Sequence, residues 1–358
     1  MNIEYIVPEL HRYGGIQEFA KIISLELKKY YNIKLINWEN NLYHTFVKLL
    51  KFSQAKISRL NKFNLHPFRF FRLIKKNYTK LTHVDLIHFW HPEPAIAFLD
   101  IDCDYIVSCH GMEILPANIR GLREILYSEV FDRALLIHVN SNYTRKLITK
   151  LFDVSRRKIK VINPPIDYKK FASQNRRKDK DKIIIGTLTR LVKRKNVPNI
   201  IKALNILRNK HDLDFIYYLA GDGVEKKRIL NELKNSKFEW KYFGQISEEK
   251  KIREFYPFLD IFVLLPLELP NDVEGFGMVY LEANACGVPV VASKTGGIPD
   301  AVKERISGVF ANPTDPEDIA DKILFIVNTL EKWEQKCKKH AKNFDVSIIS
   351  TQFRKIYK

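Results

Sequence analysis

The stretch Glu274-Gly275-Phe276-Gly277-Met278-Val279-Tyr280-Leu281-Glu282-Ala283 lies between two short apolar runs, Ile261 to Leu265 before it and Pro289 to Ser293 after it. Runs of that length, rich in Ile, Phe and Val, read as strands buried on both faces, and Met278 to Ala285 between them reads as a helix. Strand, glycine-bearing loop, helix and strand make one turn of a parallel α/β unit. In such units the loops that leave the carboxyl ends of strands hold the ligand. Glycines at the junction allow close backbone approach, and the exposed N–H groups of a helix start favour an anion such as phosphate. Glu274 falls in the loop, and Glu282 falls about one and a half turns into the helix. Two carboxylates so disposed suit recognition of hydroxyls at two ends of a ligand better than an acid/base pair flanking one bond. Either glutamate alone would read as a helix dipole partner; with the glycines, the ligand reading prevails.

The same alternation extends upstream: strand Ile183 to Thr187, helix Val197 to Arg208, strand Phe215 to Ala220, helix Glu225 to Leu233, strand Trp240 to Phe243 and helix Glu248 to Tyr256. The first half carries it more sparsely, with a strand at Ile3 to Val7, a turn at Gly14-Gly15, a helix from Gln17 to Lys29, and apolar runs at Leu86 to Phe89, Tyr105 to Cys109 and Leu135 to Val139. Asn163-Pro164-Pro165 ends a strand with residues that neither helix nor sheet interior accepts, and a charged stretch, Gln174 to Lys182, follows. The expected division is therefore residues 1–170 as one Rossmann-like domain, 171–182 as linker and 183–340 as a second such domain. Residues 341–358 form a final helix that packs elsewhere, on the first domain.

Composition agrees with two cores: 358 residues are 46% hydrophobic, with 23 Phe and 16 Tyr. No run approaches the roughly 18 apolar residues of a membrane span, and Met1 to Leu10 lacks the pattern of a signal peptide, so the expected compartment is the cytoplasm. Cys103, Cys109, Cys286 and Cys337 form no CxxC pair, which argues against zinc or a redox motif. The net charge of +19 attracts polyanions. It concentrates between Asn40 and Val84, which hold ten Lys or Arg and no Asp or Glu, interleaved with aromatics as in Phe68-Arg69-Phe70-Phe71-Arg72. Segment 48–80 is thus a candidate for docking on an anionic membrane surface, with a solvated helical face as the plain alternative.

Arg190 and Lys195 follow the strand Ile183 to Thr187. Five residues apart on one loop, a planar guanidinium fork and a point charge suit a diphosphate. An ordinary solvated basic loop is the commoner meaning of such a run; its place after a strand favours the ligand.

Here a resemblance enters. The second half resembles the retaining glycosyltransferases of family 4, which have the GT-B fold, through Thr189-Arg190-Leu191 with Lys195, Ala220-Gly221-Asp222-Gly223, Tyr242-Phe243-Gly244-Gln245-Ile246, the Glu274 to Glu282 block, Ala285-Cys286-Gly287-Val288-Pro289-Val290-Val291-Ala292 and Gly296-Gly297-Ile298-Pro299-Asp300. It is dense over residues 183–312. The first half matches only at Gly14-Gly15-Ile16-Gln17, Cys109-His110-Gly111 and Asn140-Ser141 with Ile148. Thr189 and Asn196 stand where the family usually has glycine.

The resemblance implies a sugar moved from a UDP- or GDP-sugar to a glycan or lipid-linked acceptor, in polysaccharide, lipopolysaccharide or glycolipid synthesis. Arg190 and Lys195 would neutralise the pyrophosphate, and Glu282 would hold the ribose hydroxyls. Backbone near Gln245 and Ile246 would face the base, and Glu274 would bind the transferred sugar. The amides of Gly275, Phe276, Gly277, Met278 and Val279 would lie close to sugar and phosphate. Gly14 and Gly15 would admit the first domain to the reaction centre, and His110 would contact the donor sugar, although a lone His after a strand is equally a satisfied core residue. No cofactor and no divalent metal is expected, because cations already face the leaving diphosphate. Asp102-Cys103-Asp104 precedes a strand, the wrong end of a sheet for a donor-site metal.

Rival classes fare worse. A dinucleotide oxidoreductase needs Gly-x-Gly-x-x-Gly, which neither Gly14-Gly15 nor Gly221-Asp222-Gly223 supplies. A sugar phosphorylase would need a pyridoxal lysine context. A nucleotide-sugar epimerase on the same fold would not be expected to carry the Glu274 to Glu282 block. A basic nucleic-acid binder would leave the Gly-Phe-Gly loop unexplained.

Overall fold

The structure, a computed structural model, describes residues 1–8, 14–38, 84–99, 103–173 and 182–358. The basic segment 48–80 and Asp102 lie outside the described residues. The chain divides into two compact units, Met1–Asn163 with Ile349–Lys358, and Pro164–Ile348. Among the described residues no helix is long and apolar enough to cross a membrane.

The first unit contains β1 (Asn2–Pro8), α1 (Gly15–Leu27), β2 (Asn32–Trp38), β3 (Leu86–Phe89), β4 (Tyr105–Cys109), α2 (Leu122–Arg133), β5 (Leu136–Val139), α3 (Asn142–Leu151) and β6 (Ile159–Val161). Its strands form one parallel sheet in the order β2-β1-β3-β4-β5-β6. Strand β2 is absent from the sequence reading; its Asn-Ile-Lys-Leu-Ile-Asn-Trp alternates and carries polar residues. An edge position needs burial on fewer sides, so the strand lacks the continuous apolar run used as the signal. Ser141 caps α3, its hydroxyl accepting from the Thr144 amide at 3.3 Å.

The second unit contains α4 (Tyr168–Ala172), β7 (Ile183–Leu188), α5 (Val197–His211), β8 (Phe215–Ala220), α6 (Lys226–Lys234), β9 (Glu239–Tyr242), β10 (Ile261–Leu264), α7 (Met278–Ala285), β11 (Val290–Ser293), β12 (Gly308–Ala311), α8 (Pro316–Val327) and α9 (Glu334–Lys342). Helix α10 (Val346–Ile356) follows, and its last turns fall among the residues counted with the first unit. The sheet order is β12-β11-β10-β7-β8-β9, all parallel. Strand residues alternate between two cores. Ile185, Tyr217, Ile261, Val263 and Val291 pack with α5 and α8, while Ile184, Phe262, Leu264, Val290 and Ala292 pack with α7. Chain order reverses between β7 and β10, which pair directly, and at such a switch point the loops beyond the strand ends diverge and leave a crevice.

Glu248 to Tyr256, read from the sequence as one α-helix, is instead an α turn (Glu248–Lys250), a π turn (Lys251–Phe255) and a 3₁₀ turn (Tyr256–Phe258). Pro257 has no N–H to continue an α-helical ladder.

Candidate active site

The second unit brings the loops after β7 and β10 together at the switch point. Backbone bonds lace them: the Leu267 amide donates to the Arg194 carbonyl at 2.8 Å. Asn196 Nδ2 donates to the carbonyls of Leu265 at 3.2 Å and Pro313 at 2.6 Å. Asn196 has φ +58, the left-handed conformation. That explains how it stands where the resemblance expects glycine, since Asn tolerates this region better than most residues.

Glu274, on the β10 loop, meets the cations of the β7 loop. Arg194 Nη1 donates to its Oε2 at 2.9 Å, and Lys195 Nζ donates to the same oxygen. Arg194 Nε sits 2.9 Å from Asp272 Oδ1, a second ion pair of the same guanidinium. The Arg194 side chain is only 5% exposed, so its charge depends on these two carboxylates. Burial alone would raise the Glu274 carboxyl, but Lys195 and then Arg194 outweigh it and hold it at about 2. Burial pulls the Lys195 ammonium down, against the opposing pull of Glu274, and Arg194 and Arg190 push the same way as burial. Lys195 and Glu274, assigned separately to pyrophosphate and sugar, thus form one ionic cluster. Its other half, Arg194 and Asp272, was missed: Arg194 was passed over inside a basic run, and Asp272 sits in a loop without periodicity.

Arg190 is exposed and pairs with no carboxylate among the described residues. Gly277, at φ +95, precedes the first turn of α7. Phe276 is buried in the core with α7, while Gly275, Met278 and Val279 are half-buried. Below Glu274, Gly296 has φ +53, and a Cβ there would lie 2.3 Å from the Glu274 carbonyl oxygen. The next amide, Gly297, donates to that oxygen at 2.9 Å.

Glu282, on α7, is buried. Its Oε2 accepts from the Tyr256 hydroxyl at 2.7 Å and lies 3.6 Å from Lys251 Nζ. Gln245, exposed, and Ile246, half-buried, follow β9 on the same edge of the sheet. There the Gly221 amide donates to the Gly244 carbonyl at 2.7 Å.

The remaining candidates belong to the first unit. Gly14 and Gly15 are exposed at the start of α1. His110 follows β4 and is buried, its Nε2–H donating to the Trp90 carbonyl at 3.1 Å. Burial, with His138 and His91 nearby, pushes its imidazole well below the ordinary value, so it is neutral. The adjacent Glu113 accepts from the His110 amide; burial raises its carboxyl to about 7. Asp104 precedes β4, at the amino end of that strand. Among the described residues no three His, Cys, Asp or Glu side chains form a metal-holding group.

Two family models match. Residues 169–344 match Glycosyl transferases group 1, and residues 39–170 match Glycosyltransferase Family 4. A glycosyltransferase of Methanocaldococcus jannaschii is 26% identical over 79% of this chain and 78% of its own length. The GDP-mannose-dependent alpha-(1-6)-phosphatidylinositol monomannoside mannosyltransferase of Mycolicibacterium smegmatis is 30% identical over 60% of this chain and 58% of its own. The D-inositol 3-phosphate glycosyltransferase of Corynebacterium jeikeium is 28% identical over 56% and 50%. The matches thus span little more than half the length of these last two. Among solved structures, Anabaena HepE, bound to UDP and glucose, superposes with TM-score 0.74 at 17% identity, over 100% of this chain and 99% of that one. The sucrose-phosphate synthase of Thermosynechococcus elongatus gives 0.73 at 16%, over 100% and 98%. At that identity the likeness is one of fold.

Proposed function

The chain belongs to the family 4 glycosyltransferases, enzymes of the GT-B fold, and from that premise we propose that it takes a sugar from a UDP- or GDP-sugar with retention of configuration. The observation that carries the donor reading is the Lys195–Glu274–Arg194 cluster at the switch point of the second sheet. Cleaving the anomeric bond leaves negative charge on the diphosphate. Arg190, exposed beside this cluster, and the start of α7 supply fixed positive potential for that charge, which is electrostatic catalysis without a metal. Glu274, kept ionised and held from one side by two cations, is suited to accept from hydroxyls of the transferred sugar. Glu282 takes the ribose. Retention follows if the acceptor attacks the face the diphosphate leaves, with the departing phosphate receiving its proton. The acceptor is a glycan or lipid-linked molecule, a class supported by the relative named for phosphatidylinositol monomannoside.

Calorimetric titration with UDP and with GDP, in the presence of a chelator, tests the reading. One nucleotide should bind in the micromolar range, and Glu282→Ala and Arg190→Ala should each weaken it about tenfold or more. Binding by neither nucleotide defeats the donor-site assignment. Binding that vanishes with the chelator defeats its metal-free form. With a turnover assay, the anomeric proton coupling of the product reports retention.

A further inference from the structure

Residues five apart on an α-helix point about 140° away from one another, at 3.6 residues per turn. Lys251 and Tyr256 are five apart, yet both reach Oε2 of Glu282. The winding between them explains this. Lys251–Phe255 is a π turn, and the Tyr256 amide closes it by donating to the Lys251 carbonyl, five residues back. Bonding from i to i+5 brings residues five apart onto nearly the same face. Tyr256 is fully buried, its ring held edge-on by Phe171 and Phe255 and tilted against Phe262, so its hydroxyl has little freedom. Burial, and next the charge of Glu282, push the phenol far above its ordinary range, so it remains a donor at any working pH.

We infer that Tyr256 and Lys251 are positioning residues for Glu282, and that the π turn joining them sets the site's preference for ribo- over deoxyribonucleoside diphosphates. The inference rests on the reading that Glu282 meets the ribose. Both groups occupy Oε2, and no described group bonds Oε1. A carboxylate pinned through one oxygen presents the other in a fixed direction, and a fixed acceptor discriminates a hydroxyl from its absence better than a mobile one. A buried glutamate that merely needed neutralising would be served by Lys251 alone; the tyrosine adds direction.

The test compares UDP and GDP with their 2′-deoxyribose counterparts by calorimetry on the full chain. For whichever nucleotide binds, the ribo form should be preferred by about 10- to 100-fold in wild type, the value of a hydrogen bond to a charged group. Tyr256→Phe keeps the ring and should cut that preference about tenfold, mainly by weakening the ribo form. Lys251→Met, at a partly exposed position, should lower it less and carries the test alone if the buried variant does not fold. Preference retained in both variants overturns the inference and leaves the donor site standing. Equal binding of ribo and deoxy forms by wild type overturns it too, by removing Glu282 from the ribose. If neither nucleotide binds, the donor-site reading falls and takes this inference with it.

Discussion

Glu274 shows what single residues reveal and conceal. Its place in a glycine loop between strand and helix marked it as a ligand-facing carboxylate, but its ionic state depends on Arg194 and Lys195, about 80 positions earlier. Removing one partner of a buried ion pair strands the other charge. Arg194→Met should therefore destabilise the second unit by roughly 3 kcal/mol at neutral pH, measured by urea unfolding. The pH dependence has a definite sign. Glu274 is held at about 2 against an ordinary 4.5, so its contribution is present above 4.5 and fades as pH falls toward 2. In Arg194→Met that acid-side loss should shrink, and in Lys195→Met as well. A variant as stable as wild type would show that the cluster does not hold the loop.

At the scale of elements, continuous apolar runs were legible and compromised ones were not. β8 and α7 have the bounds read from the sequence, because buried strands and a glycine-opened helix carry local signals. β12, Gly-Val-Phe-Ala, escaped notice, since a four-residue run opening on glycine resembles a turn. Its Gly308 is required by packing: a Cβ there would lie 2.2 Å from the Val290 carbonyl. The π turn escaped for another reason, because its residues have ordinary helical propensity and Pro257 marks only where an α-helical ladder must stop. Gly296 lies between these cases, as the motif marks it and the structure explains it. Gly296→Ala would hold φ near +53 at a cost of roughly 1–3 kcal/mol and press on the Glu274 backbone. The expected result is a lower melting temperature with weakened nucleotide binding. An unchanged variant would mean that this loop is free to relax.

At the scale of the whole molecule, the two units differ in how they use their polar residues. In the first, Tyr5, His88, Ser108 and His138 stand on neighbouring strands β1, β3, β4 and β5, and a buried hydrogen-bond chain crosses them. Its direction follows from the carbonyl at one end. His138 Nε2–H donates to the Ile162 carbonyl at 2.9 Å, so Nδ1 accepts from Ser108 Oγ at 2.7 Å. Ser108 then accepts from His88 Nε2–H at 2.7 Å, and His88 Nδ1 accepts from the Tyr357 hydroxyl at 2.6 Å. Tyr5 donates to Tyr357 at 2.7 Å. Every link requires neutral histidines, and burial enforces this by lowering His138 to about 4 and His88 well below 6.5. Histidines so depressed contribute stability that is present above 6.5 and is lost as pH falls toward 4. Glu113, raised to about 7, works in the opposite sense, but His88, His91, His110 and His138 outnumber it. Hydrogen exchange should therefore show the first unit, with its Ile349–Lys358 tail, losing protection between pH 6.5 and 4. The second, where among the described residues His340 is the only histidine that burial depresses, should lose less over that range and fall further when Glu274 protonates. Simultaneous loss would show that the histidines are not the cause.

The sequence alone determined the two parallel α/β sheets, the strand-end loops that hold the candidate site, and the family. Those signals are local: apolar runs of strand length, glycines at loop-to-helix junctions, and charges placed just past a strand. Only the tertiary structure decided which charges meet. The Arg194–Asp272 support, the Tyr256 and Lys251 grip on Glu282, and the buried chain from Tyr5 to Ile162 join residues 20 to 352 positions apart. Each link depends on strand order and sheet face, which a single chain's residue pattern does not encode at any fixed spacing.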